Sequence, residues 1–232
     1  MRPDYGETWA YESIIGALPG IDLSRAEAVA IQLVFFETAI VALAWYYGLW
    51  QAALAGTAAV VIAAVGSLEM LRISRAARAS ESPEPYRQLL FSSNIEVVLG
   101  VLAFIALVTH LFVFDPQSGG RLVERLFGPD PPVLVVYLML LVLWDLCYRI
   151  GTGWWASVVG LWRSARYRFT PETAATLRQA DRETILFAGV QLLLVPFLLD
   201  HQVLLAALVG HVAAVAAVTG TSLLLLRSRE TG

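Results

Sequence analysis

Six long apolar runs constrain this chain more than any other feature of its sequence. A helix needs about 20 mostly apolar residues to cross a bilayer, and runs of roughly that length cover residues 26–50, 51–71, 90–114, 132–153, 183–199 and 203–226. Lipid cannot satisfy free backbone groups, so such runs must be helical, and they are too continuous for the alternating strands of a membrane barrel. The sequence therefore predicts an all-α integral membrane bundle of about six transmembrane helices.

The composition favours the same class and excludes others. Apolar residues make up 58% of the chain and charged residues 15%, against about 45–50% and 25% in ordinary soluble chains. The net charge of −3 is too small to indicate a nucleic-acid partner. Because Cys147 is the only cysteine, the chain has no intramolecular disulfide and no paired-cysteine metal site.

We expect three parts along the chain. Residues 1–25 form an N-terminal segment with an amphipathic interfacial helix at 7–18, residues 26–226 form one six-helix transmembrane domain, and residues 227–232 form a tail. A second interfacial helix is predicted at 120–128, with its apolar residues in lipid. The pairs Ser82-Pro83 and Thr170-Pro171, and the capping box that begins at Ser24, mark predicted helix starts.

An internal repeat is one interpretation of two similar segments. Residues 75–84 match residues 163–172 in their Arg, Pro and Glu positions, which suggests duplicated hairpins at 51–114 and 132–199. The alternative is convergence, because any basic helix end that turns into a capped helix start has this pattern.

Arginine placement predicts the orientation. All 16 basic residues are Arg, and only Arg121 and Arg125 fall on one side of the predicted spans. Positive residues accumulate on the cytoplasmic side of a membrane protein. We therefore expect a multi-pass protein of the cell membrane with both ends in the cytoplasm.

Ionisable residues at membrane depth are the candidate functional residues, because burying them in lipid is costly. Glu37 lies near the middle of the first run and serves either as a proton or cation site or as a structural hydrogen-bond partner. Glu69, Glu96, Asp145 and Arg149 fall at one depth on three helices. This group is interpreted as a buried ion-pair cluster, as a cation or proton gate, or in part as side chains that snorkel to water.

Further polar residues are weaker candidates. Gln191 lies within the fifth run, before Pro196, which should kink that helix. All three histidines, His110, His201 and His211, map to the outer half of the predicted bundle. A metal site built from them is chemically feasible, but their spacing is not diagnostic, and hydrogen-bonded structural roles are favoured.

Small residues recur along one face of three predicted helices. These residues are Ala52, Gly56, Ala59, Ala63 and Gly66 on the second helix, Gly100 and Ala103 on the third, and Ala206, Gly210, Ala213, Ala217 and Gly220 on the sixth. Small residues let transmembrane helices approach closely, so these faces are predicted packing seams within the bundle or contacts with other membrane subunits or a second copy. One of them, the helix-three face with Glu96 and Gly100, could instead line a path through the bundle.

Three function classes follow. No motif of a known enzyme class and no cofactor fingerprint is present, so the expected role is a non-catalytic membrane subunit or scaffold without a cofactor. The first alternative is a small proton or cation transporter or channel that uses the intramembrane acids. The second alternative is a membrane-embedded enzyme.

Three strings carry a resemblance to a known kind of protein. They are Tyr5-Gly6-Glu7-Thr8-Trp9, residues 95–100 (IEVVLG) and residues 109–115 (THLFVFD). The chain resembles small multi-pass membrane proteins of halophilic archaea that have no assigned function. That resemblance implies a membrane bundle and agrees with the Lys-free, acidic composition, but it implies no activity and no functional residue.

Overall fold

A computed structural model describes Trp9, residues 24–79 and residues 82–228. The interfacial helix predicted at 7–18 lies outside the described residues apart from Trp9, and so does the tail from residue 229 onward. Trp9 itself is buried, donates a hydrogen bond from Nε1 to the Met70 carbonyl at 3.3 Å, and packs edge-on against Phe91. This side chain therefore lies inside the protein and not on a membrane surface.

All regular secondary structure in the described residues is helical, which confirms the predicted all-α fold. The helices are α1 (Arg25–Tyr47), α2 (Trp50–Ala79), α3 (Glu84–Phe91), α4 (Ile95–Thr109), α5 (Asp115–Ser118), α6 (Leu122–Phe127), α7 (Val133–Arg166), α8 (Pro171–Val190), α9 (Val195–Leu198) and α10 (Gln202–Ser228). A π-helical turn at His110–Phe114 joins α4 to α5, and a 3-10 turn at Gln191–Leu194 joins α8 to α9.

Five helical segments of the described chain are long and apolar enough to cross a membrane. They are Glu27–Tyr47, Trp50–Ala79, Glu84–Ser118, Val133–Arg166 and Gln202–Ser228. The run predicted at 183–199 is not among them, because α8 begins twelve residues earlier, at Pro171, and its first half is polar. The apolar remainder is divided among the end of α8, the 3-10 turn and α9.

Helix starts follow the local signals at two of three predicted positions. At Ser24 the capping box forms, with the Ser24 backbone N–H donating to Glu27 at 2.7 Å. Thr170 caps α8 ahead of Pro171. The prediction at Ser82 is wrong: Pro83 occupies the cap position, and the Ser82 hydroxyl instead donates to the Ala77 carbonyl at the end of α2.

Two segments depart from regular helix where the sequence disfavours it. The third apolar run is interrupted between α3 and α4, where Asn94 adopts a left-handed conformation with φ of 52°, which Asn tolerates better than most residues. Before Pro196 the helix tightens into the 3-10 turn. Proline has no N–H to donate and clashes with the carbonyl four residues earlier, which accounts for the departure from α-helix at this point. The predicted kink itself stays a prediction.

Helix α7 is the centre of the bundle, because α1, α2, α3, α4, α8 and α10 all pack against it. One end of the bundle, the α6 end, brings together α6 and the starts of α2, α7 and α10. The opposite end, the α3 end, brings α3 together with the ends of α7 and α10 and the start of α8.

Glycines in α2 and α4 permit the closest helix contacts. A Cβ at Gly66 would lie 2.8 Å from the Phe187 ring and 2.9 Å from Arg149 Cβ, and one at Gly100 would lie 3.1 Å from Tyr148 Cα. The seams predicted on these two helices are therefore used for packing inside the bundle.

The apolar face of α6 points inward, contrary to the prediction. Leu122 is buried, and Val123, Leu126 and Phe127 line a cavity inside the bundle. Periodicity correctly groups these residues on one face, with Arg121, Glu124 and Arg125 exposed on the other. The prediction was wrong because the bundle itself, and not lipid, covers this face.

We expect Gly66→Ala to destabilise the protein, because the new methyl group overlaps Phe187 and the Arg149 side chain. Overpacking of this kind costs about 1–3 kcal/mol. Gly210→Ala is the matched control, since a Cβ there meets nothing within 4 Å. Thermal unfolding in detergent would show a lower midpoint for Gly66→Ala alone. Equal midpoints for the two variants would contradict the packing seen at Gly66.

Candidate functional site: three buried polar clusters

The predicted pair Asp145 and Arg149 forms an ion pair inside the bundle, with Arg149 Nη2 at 3.0 Å from Asp145 Oδ1. The two residues are one helical turn apart on α7. Gln32 on α1 donates to Asp145 Oδ2 at 2.8 Å, and Arg149 Nη1 lies 3.3 Å from Met70 Sδ on α2. This Arg149 cluster links three helices, and a buried pair supplemented by further hydrogen bonds is the arrangement that tolerates desolvation.

Glu69 lies near the Arg149 cluster but is not its ion-pair partner. Its side chain is buried and interacts with the Thr184 side chain of α8, while Oε1 has no hydrogen-bond partner among the described residues. Its Oε2 would be 3.6 Å from a Cβ at Gly153. The carboxyl group is therefore held between α2, α7 and α8.

Glu96 and Gln191 are each buried apart from the other predicted residues. The Glu96 side chain is fully buried, and neither of its carboxyl oxygens has a hydrogen-bond partner among the described residues. The Gln191 amide oxygen is in the same situation within the 3-10 turn. Of the three acids and one Arg predicted to lie at one depth, Asp145 and Arg149 form an ion pair. Glu69 and Glu96 lie apart from that pair.

Glu37 has a partner on a neighbouring helix. The Thr57 hydroxyl of α2 donates to Glu37 Oε1 at 2.7 Å. Of the two interpretations offered by the sequence, this geometry matches a structural hydrogen bond between α1 and α2.

A second cluster, at the α3 end, was not predicted from the sequence. Arg163 is 2% exposed, and its Nη2 lies 2.6 Å from Asp181 Oδ1 of α8. Its Nη1 donates to the Tyr86 hydroxyl of α3 at 2.8 Å, and the guanidinium also lies 5.1 Å from the centre of the Tyr86 ring. This position allows a cation–π interaction in addition to the hydrogen bond.

The same Arg163 cluster extends to α10. Ser222 donates to Asp181 Oδ2 at 2.7 Å, and the Ser164 and Ser222 hydroxyl oxygens are 2.8 Å apart. A Cβ at Gly160 would lie 3.4 Å from Asp181 Oδ1. Both oxygens of Asp181 are therefore paired, and the cluster joins α3, α7, α8 and α10.

The sequence did contain a signal for the Arg163 cluster. Because α7 continues to Arg166, Gly160, Arg163 and Ser164 lie close together on its last turns. Ser222 is a polar residue within the last apolar run. The sequence pattern predicts no contact between these residues, because their partners are distant in sequence.

A third cluster lies at the α6 end and includes one predicted histidine. His201 Nδ1 is 2.8 Å from Asp115 Oδ1, and Asp115 Oδ2 accepts the Leu122 backbone N–H at 2.6 Å. Gly120 is required here, because a Cβ would clash with the Asp115 carboxylate. This Asp115 cluster ties the start of α6 to the start of α10.

The structure does not bring the three histidines together in one group. His110 lies close enough to Asp115 for their charges to interact, whereas His211 lies elsewhere, 6.1 Å from Trp154 between ring centres. Among the described residues, no group of three or more His, Cys, Asp or Glu side chains has metal-binding geometry. The histidines therefore provide, at most, one His–carboxylate pair.

A family model matches residues 4–222, which is nearly the whole chain. The chain belongs to DUF7530, a family of unknown function. No curated protein and no solved structure matches the chain. The family match agrees with the resemblance to proteins without an assigned function, and it assigns no role to any residue of this DUF7530 member.

The chemistry of the three clusters is mainly electrostatic and structural. In two of them an Arg meets an Asp on α7 or α8, and in the third a His meets an Asp. Among the described residues, no hydrogen bond joins a Ser, Thr or Cys side chain to a His. In this DUF7530 member the clusters fasten helices together.

We expect Arg163→Met to unfold the protein more easily than any surface substitution. Removing one partner of a buried ion pair leaves the other charge uncompensated and costs about 3–5 kcal/mol. In the double variant Arg163→Met/Asp181→Leu most of this loss should be recovered, because both charges are gone. Detergent unfolding titrations of the single and double variants would measure the difference.

Arg72→Ala is the control for that experiment. Arg72 pairs with Glu183 at 2.8 Å, but its side chain is 56% exposed, so the loss should be about 0–1 kcal/mol. A double variant as unstable as Arg163→Met would contradict the assignment of the cost to an unpaired charge.

Proposed function

We propose that this chain is a multi-pass membrane subunit or scaffold without catalytic activity, which binds other membrane helices through α10. The observation that carries the proposal is the exposed seam of α10, formed by Ala206, Gly210, Ala213, Ala217 and Gly220. The first four are exposed and Gly220 is half-buried, and a Cβ at Gly210 or Gly220 would meet nothing within 4 Å.

The seam lies opposite the face by which α10 packs into the bundle. Val215, Thr219, Ser222 and Leu226 are buried, and at 100° per residue they fall on the other side of the helix. The seams of α2 and α4 are already occupied by Phe187 and Tyr148. Since small residues allow close approach of a second helix, the α10 seam is the one available for a partner.

The buried polar groups favour a scaffold over a conducting pathway. A cavity of about 290 Å³ is lined by apolar residues, and Glu37, Glu96 and Arg149 are not among them. A second pocket, beside Gln32 and Asp145, has a volume of only about 10 Å³, which is about the size needed for one water. These features support fixed packing.

We place the protein in the cell membrane with the α3 end in the cytoplasm. Arg72, Arg75, Arg78, Arg163 and Arg166 lie at that end, on the last turns of α2 and α7, whereas Arg121 and Arg125 lie on the α6 end. This asymmetry supports the orientation by the positive-inside tendency. An origin in halophilic archaea stays a prediction from the sequence.

Proton or cation transport is the second candidate. Glu96 favours it, because a fully buried carboxyl group without a hydrogen-bond partner among the described residues is a common feature of proton-transfer sites in membranes. An enzymatic role has less support, since no nucleophile–base pair is present among the described residues.

The scaffold proposal predicts that α10 lies next to another transmembrane helix. With Cys147→Ala as a cysteine-free background, Ala213→Cys should form a disulfide or a short bifunctional crosslink to a second polypeptide in native membranes. The matched control is Leu102→Cys on α4, which is also exposed but has no small neighbours that form a seam.

The crosslinked product identifies the partner. A product of twice the mass of the chain would indicate self-association, and a different mass would indicate another subunit. Crosslinking of Ala213→Cys that does not exceed that of Leu102→Cys would contradict the proposal that the seam is a contact surface.

The transport alternative predicts a different result. Liposomes containing the folded protein and a pH-sensitive dye should then show flux under a membrane potential or a Na⁺ or K⁺ gradient, and Glu96→Gln should abolish it. Glu37→Gln is the comparison, because Glu37 is paired with Thr57. We expect no flux from any of the three proteins, and flux that disappears in Glu96→Gln would replace the scaffold proposal.

A further inference from the structure

A large apolar cavity lies inside the α6 end of the bundle. Its volume is about 290 Å³, and no residue that lines it has a charged, amide or hydroxyl side chain. Its walls come from α1, α2, α4, α7 and α10, and the apolar face of α6 covers it. None of the three polar clusters contributes a side chain to this lining.

The cavity is unsuited to water. A buried water needs roughly 2–4 polar partners, and apolar cavities of about 150 Å³ stay dry and bind small hydrocarbons. An unfilled void of this size would also weaken the packing of every side chain around it. Its chemistry therefore calls for an apolar occupant.

The position of the opening shows where that occupant comes from. Ala207 is the one lining residue that is exposed, whereas the other lining residues are buried or half-buried. It lies on α10, within the segment Gln202–Ser228 that is long and apolar enough to cross a membrane. The mouth therefore opens sideways, towards hydrocarbon, while α6 closes the cavity from the end of the bundle.

Helix α6, which covers the cavity, is amphipathic and is held in place by hydrogen bonds. Asp115 accepts the Leu122 N–H and pairs with His201, which fixes the start of α6 over the cavity. Arg121, which precedes α6, pairs with Glu124, and Arg125 on the exposed face of α6 pairs with Asp200. The helix thus separates an apolar chamber from a charged, water-facing surface.

We propose that this cavity is a binding site for one hydrocarbon chain of a bilayer phospholipid. The chain enters beside Ala207 from the surrounding membrane and lies beneath α6, against α2 and α7. The site is independent of the α10 seam, because Ala207 is one position away from Ala206, about 100° around the helix.

A photoreactive phospholipid tests the proposal directly. The full-length protein would be reconstituted into vesicles of phosphatidylcholine with a diazirine group on one acyl chain, illuminated, digested and analysed by mass spectrometry. Crosslinks are expected at cavity residues around Cys147 and Leu126, in addition to those at lipid-facing residues such as Leu102. Crosslinks confined to lipid-facing residues would overturn the proposal.

Two substitutions would fill the cavity, and a third serves as their control. Ala207→Phe places a ring in the mouth, and Ala55→Phe on α2 fills the opposite wall. Both should reduce cavity crosslinks about tenfold, since a packed ring and a chain cannot share the space. Val209→Phe lies on the same helix as Ala207 but does not line the cavity, so its crosslinks should match those of the wild type.

The remaining outcomes separate other occupants. Unchanged cavity crosslinks in both Ala207→Phe and Ala55→Phe, from protein that unfolds at the wild-type temperature, would contradict the proposed path. Crosslinks between cavity residues and a second polypeptide would also overturn it. Displacement of the cavity crosslinks by excess unlabelled phosphatidylcholine, but not by a free fatty acid at equal concentration, would support a phospholipid chain as the ligand.

Discussion

The buried charge of Arg163 is the interaction on which the α3 end of the bundle depends. A guanidinium 2% exposed is tolerated only when nearby groups replace its hydration. The groups that replace its hydration are Asp181, Tyr86 and the Leu177 carbonyl. They lie on α3 and α8, two helices that pack against α7. Ser222 then fixes the second oxygen of Asp181. One charge thus determines the relative positions of α3, α7, α8 and α10.

The two ends of the bundle are held together by different kinds of contact. At the α3 end, specific hydrogen bonds between buried side chains fix the relative positions of the helices. At the α6 end, apolar side chains surround open space. The buried ion pair described at that end belongs to the Asp115 cluster, whereas the pairs of Arg121 and Arg125 are exposed. Directional bonds suit a rigid joint, whereas non-directional apolar contacts suit a chamber whose content can vary in length.

Local sequence signals account for much of the fold but little of the clusters. The long apolar runs predicted α1, α2, α7 and α10, the Ser24 box predicted a helix start, and Asp145–Arg149 paired because four residues is one helical turn. Arg163 was missed because Tyr86 is 77 residues away, and no pattern in one sequence connects them. The α6 face was misassigned for a related reason: periodicity identifies an apolar face but not what covers it.

The apolar stretch that is divided among the end of α8, the 3-10 turn and α9 has a consequence for how the protein is synthesised. The apolar stretch at 184–199 falls short of the about 20 residues that partition into a bilayer unaided, and polar residues precede it. A translocon that releases helices one at a time would not leave this stretch in lipid, because the stretch is too short and its flank too polar. Entry of this stretch into a bilayer would therefore depend on α7, which precedes it in the chain, or on α10, which follows it. Biogenesis of this protein would then be cooperative, with the final three segments committed to the membrane together.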